Sequence, residues 1–154
     1  METRIEARER TKVAAVRHVG PYENCKPAWE KLIAWANETN QDYEKAQWIT
    51  VCYDDPANVP ADQLRSDICM TIPEAIEETE DVKPSEIAGG EYLVGLHKGP
   101  YSELGLSYQY LYVRKMQEIG REPRCLPPFE LYLNCPESTP EQDLLTEIWI
   151  PLKD

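Results

Sequence analysis

Residues 16–23, VRHVGPYE, recur 79 positions later as GLHKGPYS at 95–102. His18 aligns with His97, Gly20 with Gly99, Pro21 with Pro100 and Tyr22 with Tyr101. Chance alone can produce Gly-Pro-Tyr twice. A His-x-Gly-Pro-Tyr pattern whose downstream residues stay in step marks a duplicated supersecondary unit. The same spacing carries Trp29 onto Tyr108, Leu32 onto Leu111, Ile33 onto Tyr112 and Tyr53 onto Tyr132. One further inserted residue then aligns LRSDIC at 64–69 with LLTEIW at 144–149, which pairs Asp67 with Glu147.

Each half spells the same elements. An apolar run, Lys12 to Val19 or Glu91 to Lys98, is stopped by Gly-Pro and predicts a strand ending in a turn. A helix follows. Trp29, Leu32, Ile33 and Ala36 form one apolar stripe in the first half, with Pro27 suited to the first helical turn. Ser102 as N-cap, a stripe of Leu104, Tyr108, Leu111 and Lys115, and a stop at Gly120 define the second. Two strands close each half: Trp48–Asp54 with Asp67–Ile72, and Phe129–Asn134 with Thr146–Pro151. The unit is β-α-β-β, present twice, and the class is α+β. The chain is read as one domain, 1–154, with repeats at about 4–73 and 86–154. The acidic stretch between them, 74–85, is read as a solvated connector without chemistry.

Composition narrows the function. The 154 residues carry 16 Lys and Arg against 28 Asp and Glu, a net charge of −12. So acidic a surface repels phosphate backbones, which argues against direct nucleic-acid binding and for cationic guests. No apolar stretch is long enough to span a membrane, and METRIEARERTK has no signal-peptide core, so the expected location is the cytoplasm. The five cysteines are odd in number and lack a CxxC spacing. They read as reduced thiols, and with two histidines no metal centre or cofactor is expected.

Strand alternation proposes the site. Side chains of a strand face opposite sides with a period of two. Helices should cover the Leu/Ile faces, leaving Glu130, Tyr132, Glu147 and Trp149 together on the other face. By repeat register Val51, Tyr53, Asp67 and Cys69 join them, with Tyr22 and Tyr101 near the mouth. Aromatic walls around a few carboxylates describe a pocket for a flat or amphipathic cation. A desolvated Glu lacking a fixed basic partner would strengthen that preference. The competing readings are solvent-facing edge charges for Glu130 and Glu147, and a second small core for Trp149 and Tyr132. His18 and His97 are read as structural, as is Gly-Pro-Tyr through the fixed φ of proline. Cys52 and Cys69 have no adjacent basic partner and are not read as nucleophiles.

These residues resemble the GyrI-like proteins, the stand-alone gyrase-inhibitory proteins and the effector-binding domains of AraC- and MerR-type multidrug regulators. The resemblance rests on VGPYE (19–23) with Trp29, Leu32 and Trp35, on VCYDDP and VPADQLRSDICMTIP within 51–73, and on GGEYLVGLHKGPY (89–101). PPFELYLNCPE (127–137) and TEIWIPL (146–152) complete it. It implies tandem β-α-β-β repeats sharing one antiparallel sheet, with two helices on one face and a groove on the other. That groove binds small, often cationic and aromatic molecules around an acidic residue. By motif position that residue is Glu147, with Glu130 at a second family position. The resemblance begins within about ten residues of Met1, so no helix-turn-helix is expected and the chain is not read as a DNA-binding regulator.

The leading expectation is a small-molecule-binding protein without catalytic activity. The alternatives implied by the family are a protein partner that inhibits DNA gyrase and a hydrolase of cyclopropane-bearing genotoxins. The hydrolase would use Glu147 on water, with Trp149, Tyr132 and Tyr53 as an aromatic cage. The oligomeric state stays open.

Overall fold

Gly20 and Gly99 hold φ at 129° and 128°, a region L side chains rarely adopt, and each reverses the chain where its strand meets Pro. Behind each glycine the preceding histidine bonds the proline carbonyl: His18 Nε2 to Pro21 O at 2.9 Å, His97 Nε2 to Pro100 O at 3.0 Å. The repeated motif is thus a strand-to-helix turn pinned by its histidine. A computed structural model describes every residue from Met1 to Asp154.

Eight strands form: β1 (Thr3–Arg8), β2 (Thr11–Val19), β3 (Trp48–Cys52), β4 (Arg65–Thr71), β5 (Lys83–Ile87), β6 (Gly90–Lys98), β7 (Phe129–Tyr132) and β8 (Leu145–Pro151). Helix α1 spans Lys26–Glu38. Its counterpart runs unbroken from α2 (Leu104–Gln109) through a wider π-helical stretch, Tyr110–Lys115, into α3 (Met116–Ile119). The pairings between strands are antiparallel, so the fold is the α+β class that the repeat implied.

The chain divides into two compact units, Glu9–Gly89 and Met1–Arg8 with Gly90–Asp154. In the first the strand order is β3-β4-β2-β5, in the second β1-β6-β8-β7. Each unit therefore holds the β-α-β-β of one repeat plus a fourth strand that stands just before the β-α-β-β of the other in sequence. β1 opens the first repeat's span, ahead of its β-α-β-β, but pairs with β6, and β5 straddles the start of the second span but pairs with β2. Neither strand was expected. TRIEAR holds one large aliphatic residue among charges, and KPSEI one among charges and a proline, the composition of protected edge strands. The supposed connector accordingly contains the start of β5 and the buried Val82.

Each helix covers one face of its own four strands. In the first unit Ala28, Leu32, Trp35 and Ala36 of α1 pack on Ala14, Val16, Ile68, Met70 and Ile72. In the second, Leu104, Leu111 and Met116 pack on Leu93, Ile148, Ile150 and Leu152. Ile33, expected in the α1 stripe, is 43% exposed, because the buried arc runs through Ala28 and Trp35 instead. Ser102 does not cap α2. It lies in a short 3-10 turn, Tyr101–Glu103, from which the helix continues. Gly120 closes α3 in a left-handed conformation, as its position predicts.

Candidate functional site

β8 decides the site because its residues alternate between the helix-covered face and the opposite one. Ile148 and Ile150 face the helix, so Glu147 and Trp149 face away from it. The partner strand β7 then sets which of its residues join them. Phe129 lies opposite Trp149 and Leu131 opposite Glu147, whereas Glu130 lies opposite Ile148 and Tyr132 opposite Thr146. Directly paired residues share a face. Glu130 and Tyr132 are therefore on the helix side, and the expected joint cluster of Glu130, Tyr132, Glu147 and Trp149 does not form. Ile49 opposite Cys69 is the matching pair in the first unit, so the repeat offset is already 80 at β7. Tyr53 corresponds to Leu133, not to Tyr132. A one-residue slip in register moves every side chain of a strand to the other face.

Away from the helix, Trp149, Phe129 and Tyr92 pack as a ring cluster, 3%, 2% and 2% exposed. Phe129 and Trp149 stack at 5.5 Å, and Tyr92 meets both edge-on at 5.5 and 5.6 Å. Arginines from β1 cover the rings: Arg4 lies 5.6 Å from the Trp149 centroid, and Arg8 lies 5.3 Å from Trp149 and 5.2 Å from Phe129. Burial pulls the Arg8 guanidinium below its usual value. Glu147 is not an unpartnered carboxylate. Arg4 Nη2 pairs with its Oε2 at 3.0 Å, and Trp149 Nε1 donates to its Oε1 at 3.1 Å. Trp149 is thus buried in a ring cluster on this face without Tyr132, and the carboxylate beside it pairs with Arg4 of the same chain.

On the helix side, Glu130 stands in a different setting. It is 9% exposed, and two tyrosine hydroxyls donate to it, Tyr132 to Oε1 and Tyr108 to Oε2, both at 2.8 Å. Tyr108 stacks on Tyr112 at 6.5 Å, and Tyr101 meets Tyr132 edge-on at 5.6 Å. Two tyrosines thus bond the carboxylate, and two more, from the Gly-Pro-Tyr turn and the second helix, pack on those. Tyr101 and Tyr112 remain more than a third exposed, which gives the cluster an accessible side. Tyr108 and Tyr112 were hidden from the sequence reading because a tyrosine on an apolar helical stripe looks like core. The run YQYLY at 108–112 was the available signal.

In the first unit Val51, Tyr53, Asp67 and Cys69 do share one face, opposite α1. Arg17 Nε binds Asp67 Oδ1 at 2.6 Å, and Tyr53 donates to Asp67 Oδ2 at 2.7 Å. Arg17 and Arg65 lie over the Tyr53 ring, and Arg65 pairs with Asp54 at 2.9 Å. Burial, then the bond to Asp67, pushes the Tyr53 phenol up, and burial pushes the Cys69 thiol up, which makes it a poor nucleophile. Tyr22 donates to Asp54 O at 2.5 Å and so braces the loop after β3. All five cysteines are free thiols, and no cluster of His, Cys, Asp and Glu has metal-binding geometry.

The chain is thus a duplicated antiparallel α+β scaffold with a tyrosine-bonded carboxylate beneath its second helix. Comparison with known proteins gives the particular family. The chain belongs to the GyrI-like family, matching the GyrI-like small molecule binding domain over residues 1–153. It is 32% identical over 139 residues to a DNA gyrase inhibitor of Escherichia fergusonii, spanning 87% of this chain and 88% of that protein. Among solved structures it is similar in fold to the EcmrR C-terminal domain, with a TM-score of 0.79 at 17% identity, covering 99% of this chain and 98% of that one. It is also similar to SAV2435 bound to tetraphenylphosphonium, with a TM-score of 0.64 at 14% identity, covering 99% and 94%. No helix is long and apolar enough to cross a membrane.

Proposed function

We propose that this chain binds aromatic, cationic small molecules at the Glu130 cage. The observation that carries the reading is a nearly buried carboxylate held by the hydroxyls of Tyr108 and Tyr132, with the rings of Tyr101 and Tyr112 exposed beside it. Ring faces attract a cation by about 0.5–2 kcal/mol each, and the carboxylate adds charge complementarity. Glu147 and Asp67 are each paired with an arginine of the chain, Arg4 and Arg17, which a cation would have to displace. That SAV2435 was solved with tetraphenylphosphonium makes this cation the probe of choice. Titration calorimetry with it should show saturable one-to-one binding that Glu130→Gln weakens and Glu147→Gln leaves in place. Binding lost equally in both variants would count against the cage. Multiple turnovers of a cyclopropane-bearing toxin would instead identify a hydrolase.

A second reading is inhibition of DNA gyrase. It is favoured by the name of the relative at 32% identity and by the net charge of −12, which suits a DNA-handling enzyme as partner. Plasmid supercoiling by purified gyrase should then fall at near-stoichiometric amounts of this protein. Unchanged supercoiling at a large molar excess removes the reading.

A further inference from the structure

Both repeats place a histidine behind the Gly-Pro-Tyr turn, yet only one of them reaches the helix. Each Nε2 bonds the carbonyl of the proline three residues on. A carbonyl accepts only, so Nε2 carries the proton, and in a neutral ring Nδ1 is left as an acceptor. At His97 the Ser107 hydroxyl donates to Nδ1 at 2.7 Å, with both residues buried. The repeat-equivalent of Ser107 is Ala28, also buried, which has no hydroxyl to offer His18. The repeat with this extra bond is the repeat with the cage. Ser107 immediately precedes Tyr108, which donates to Glu130, and Pro100 immediately precedes Tyr101, which packs on Tyr132. One imidazole therefore ties down both backbone segments that deliver tyrosines from outside β7.

We infer that His97 and Ser107 are positioning residues for the Glu130 cage, holding Tyr101 against Tyr132 and Tyr108 against Glu130. The affinity consequence rests on the cage being the ligand site. The placement of Tyr108 does not. Ser107→Ala leaves a buried ring nitrogen without its donor, a loss comparable to about tenfold in an equilibrium constant.

The test uses the full chain with Ser107→Ala, Ser107→Thr and His97→Gln, and reads tetraphenylphosphonium affinity, unfolding midpoint and crystal structure. Ser107→Ala should weaken binding about tenfold and Ser107→Thr should restore it, with Tyr108 withdrawn from Glu130 in the Ser107→Ala structure. Wild-type affinity in Ser107→Ala, with only the midpoint lowered, assigns the pair a purely architectural role and overturns the inference. If the wild-type chain does not bind the probe, the cage reading fails. The inference is then decided by the structure: Tyr108 still bonded to Glu130, and Tyr101 still on Tyr132, refute it. Should His97→Gln fail to fold, Ser107→Ala carries the test alone.

Discussion

Phe129 and Trp149 lie directly opposite each other on β7 and β8, and their rings stack at 5.5 Å with 11° between their planes. That single pairing separates the candidate residues. It sends Glu147 and Trp149 to one face and Glu130 and Tyr132 to the other, beneath the second helix. Carboxylates expected in one pocket become, in the folded chain, an internal ion pair and a tyrosine cage.

The two glutamates should separate under the same substitution. Glu130→Gln removes the charge that Tyr108 and Tyr132 hold, and the binding of a lipophilic cation should weaken by about 1.5–3 kcal/mol. Glu147→Gln removes one of two carboxylates paired with Arg4, which is 44% exposed and keeps Glu6, and should change binding little while costing under about 1 kcal/mol of stability. Parallel calorimetry and urea unfolding measure both; a larger binding loss for Glu147→Gln reverses the assignment.

Arg4→Ala should cost more than a surface arginine usually does. It leaves Glu147, only 12% exposed at its side chain, with the Trp149 indole as its one remaining donor, and it strips a cation from the ring cluster. A loss of about 1 kcal/mol is expected, against little for Arg10→Ala, whose pair with Glu86 is exposed at both ends. Equal unfolding midpoints for the two variants would show that the Arg4 contact contributes nothing.

Asp54 predicts an acid-side signature. The Arg65 guanidinium holds the Asp54 carboxyl below its ordinary value. A depressed folded pKa contributes stability that is present above the unfolded value, near 4, and is lost as pH falls through the lower folded value. The stability gap between wild type and Asp54→Asn should therefore be constant near neutrality and close below about pH 4. A gap that widens on acidification contradicts the pairing.

The turn glycines offer a stability test independent of any ligand. Gly99→Ala forces a side chain to φ near 128° and should cost about 1–3 kcal/mol. Gly105, in the first turn of α2 with open space around it, should accept alanine with a gain of up to about 1 kcal/mol. A Gly99→Ala midpoint that does not fall would mean that the turn is not strained as described, and a Gly105→Ala midpoint that falls would mean that the space around Gly105 is not open.

Much of this fold was legible from side-chain chemistry alone. Repetition of His-x-Gly-Pro-Tyr, apolar runs of period two and a helical stripe identify local elements, and local rules suffice for them. The α+β class, six of the eight strands, both helices and the Gly120 stop follow from the amino-acid order. β1 and β5 escaped because edge strands carry charge and proline rather than an apolar pattern, and their pairing depends on distant chain segments.

What tertiary structure alone decided is where the inserted residue falls between the repeats. Aligned by sequence, the offset changes after β7; by strand pairing it has changed before it. No local preference distinguishes the two, since FELYLN alternates equally well either way round. Only the pairing of Phe129 with Trp149 and the packing of Tyr108 on Glu130 choose, because a register is a property of two strands and not of one. The same holds for Arg4 and Arg17: a charge can be counted in a sequence, but the carboxylate it neutralises is known only once the chain has folded.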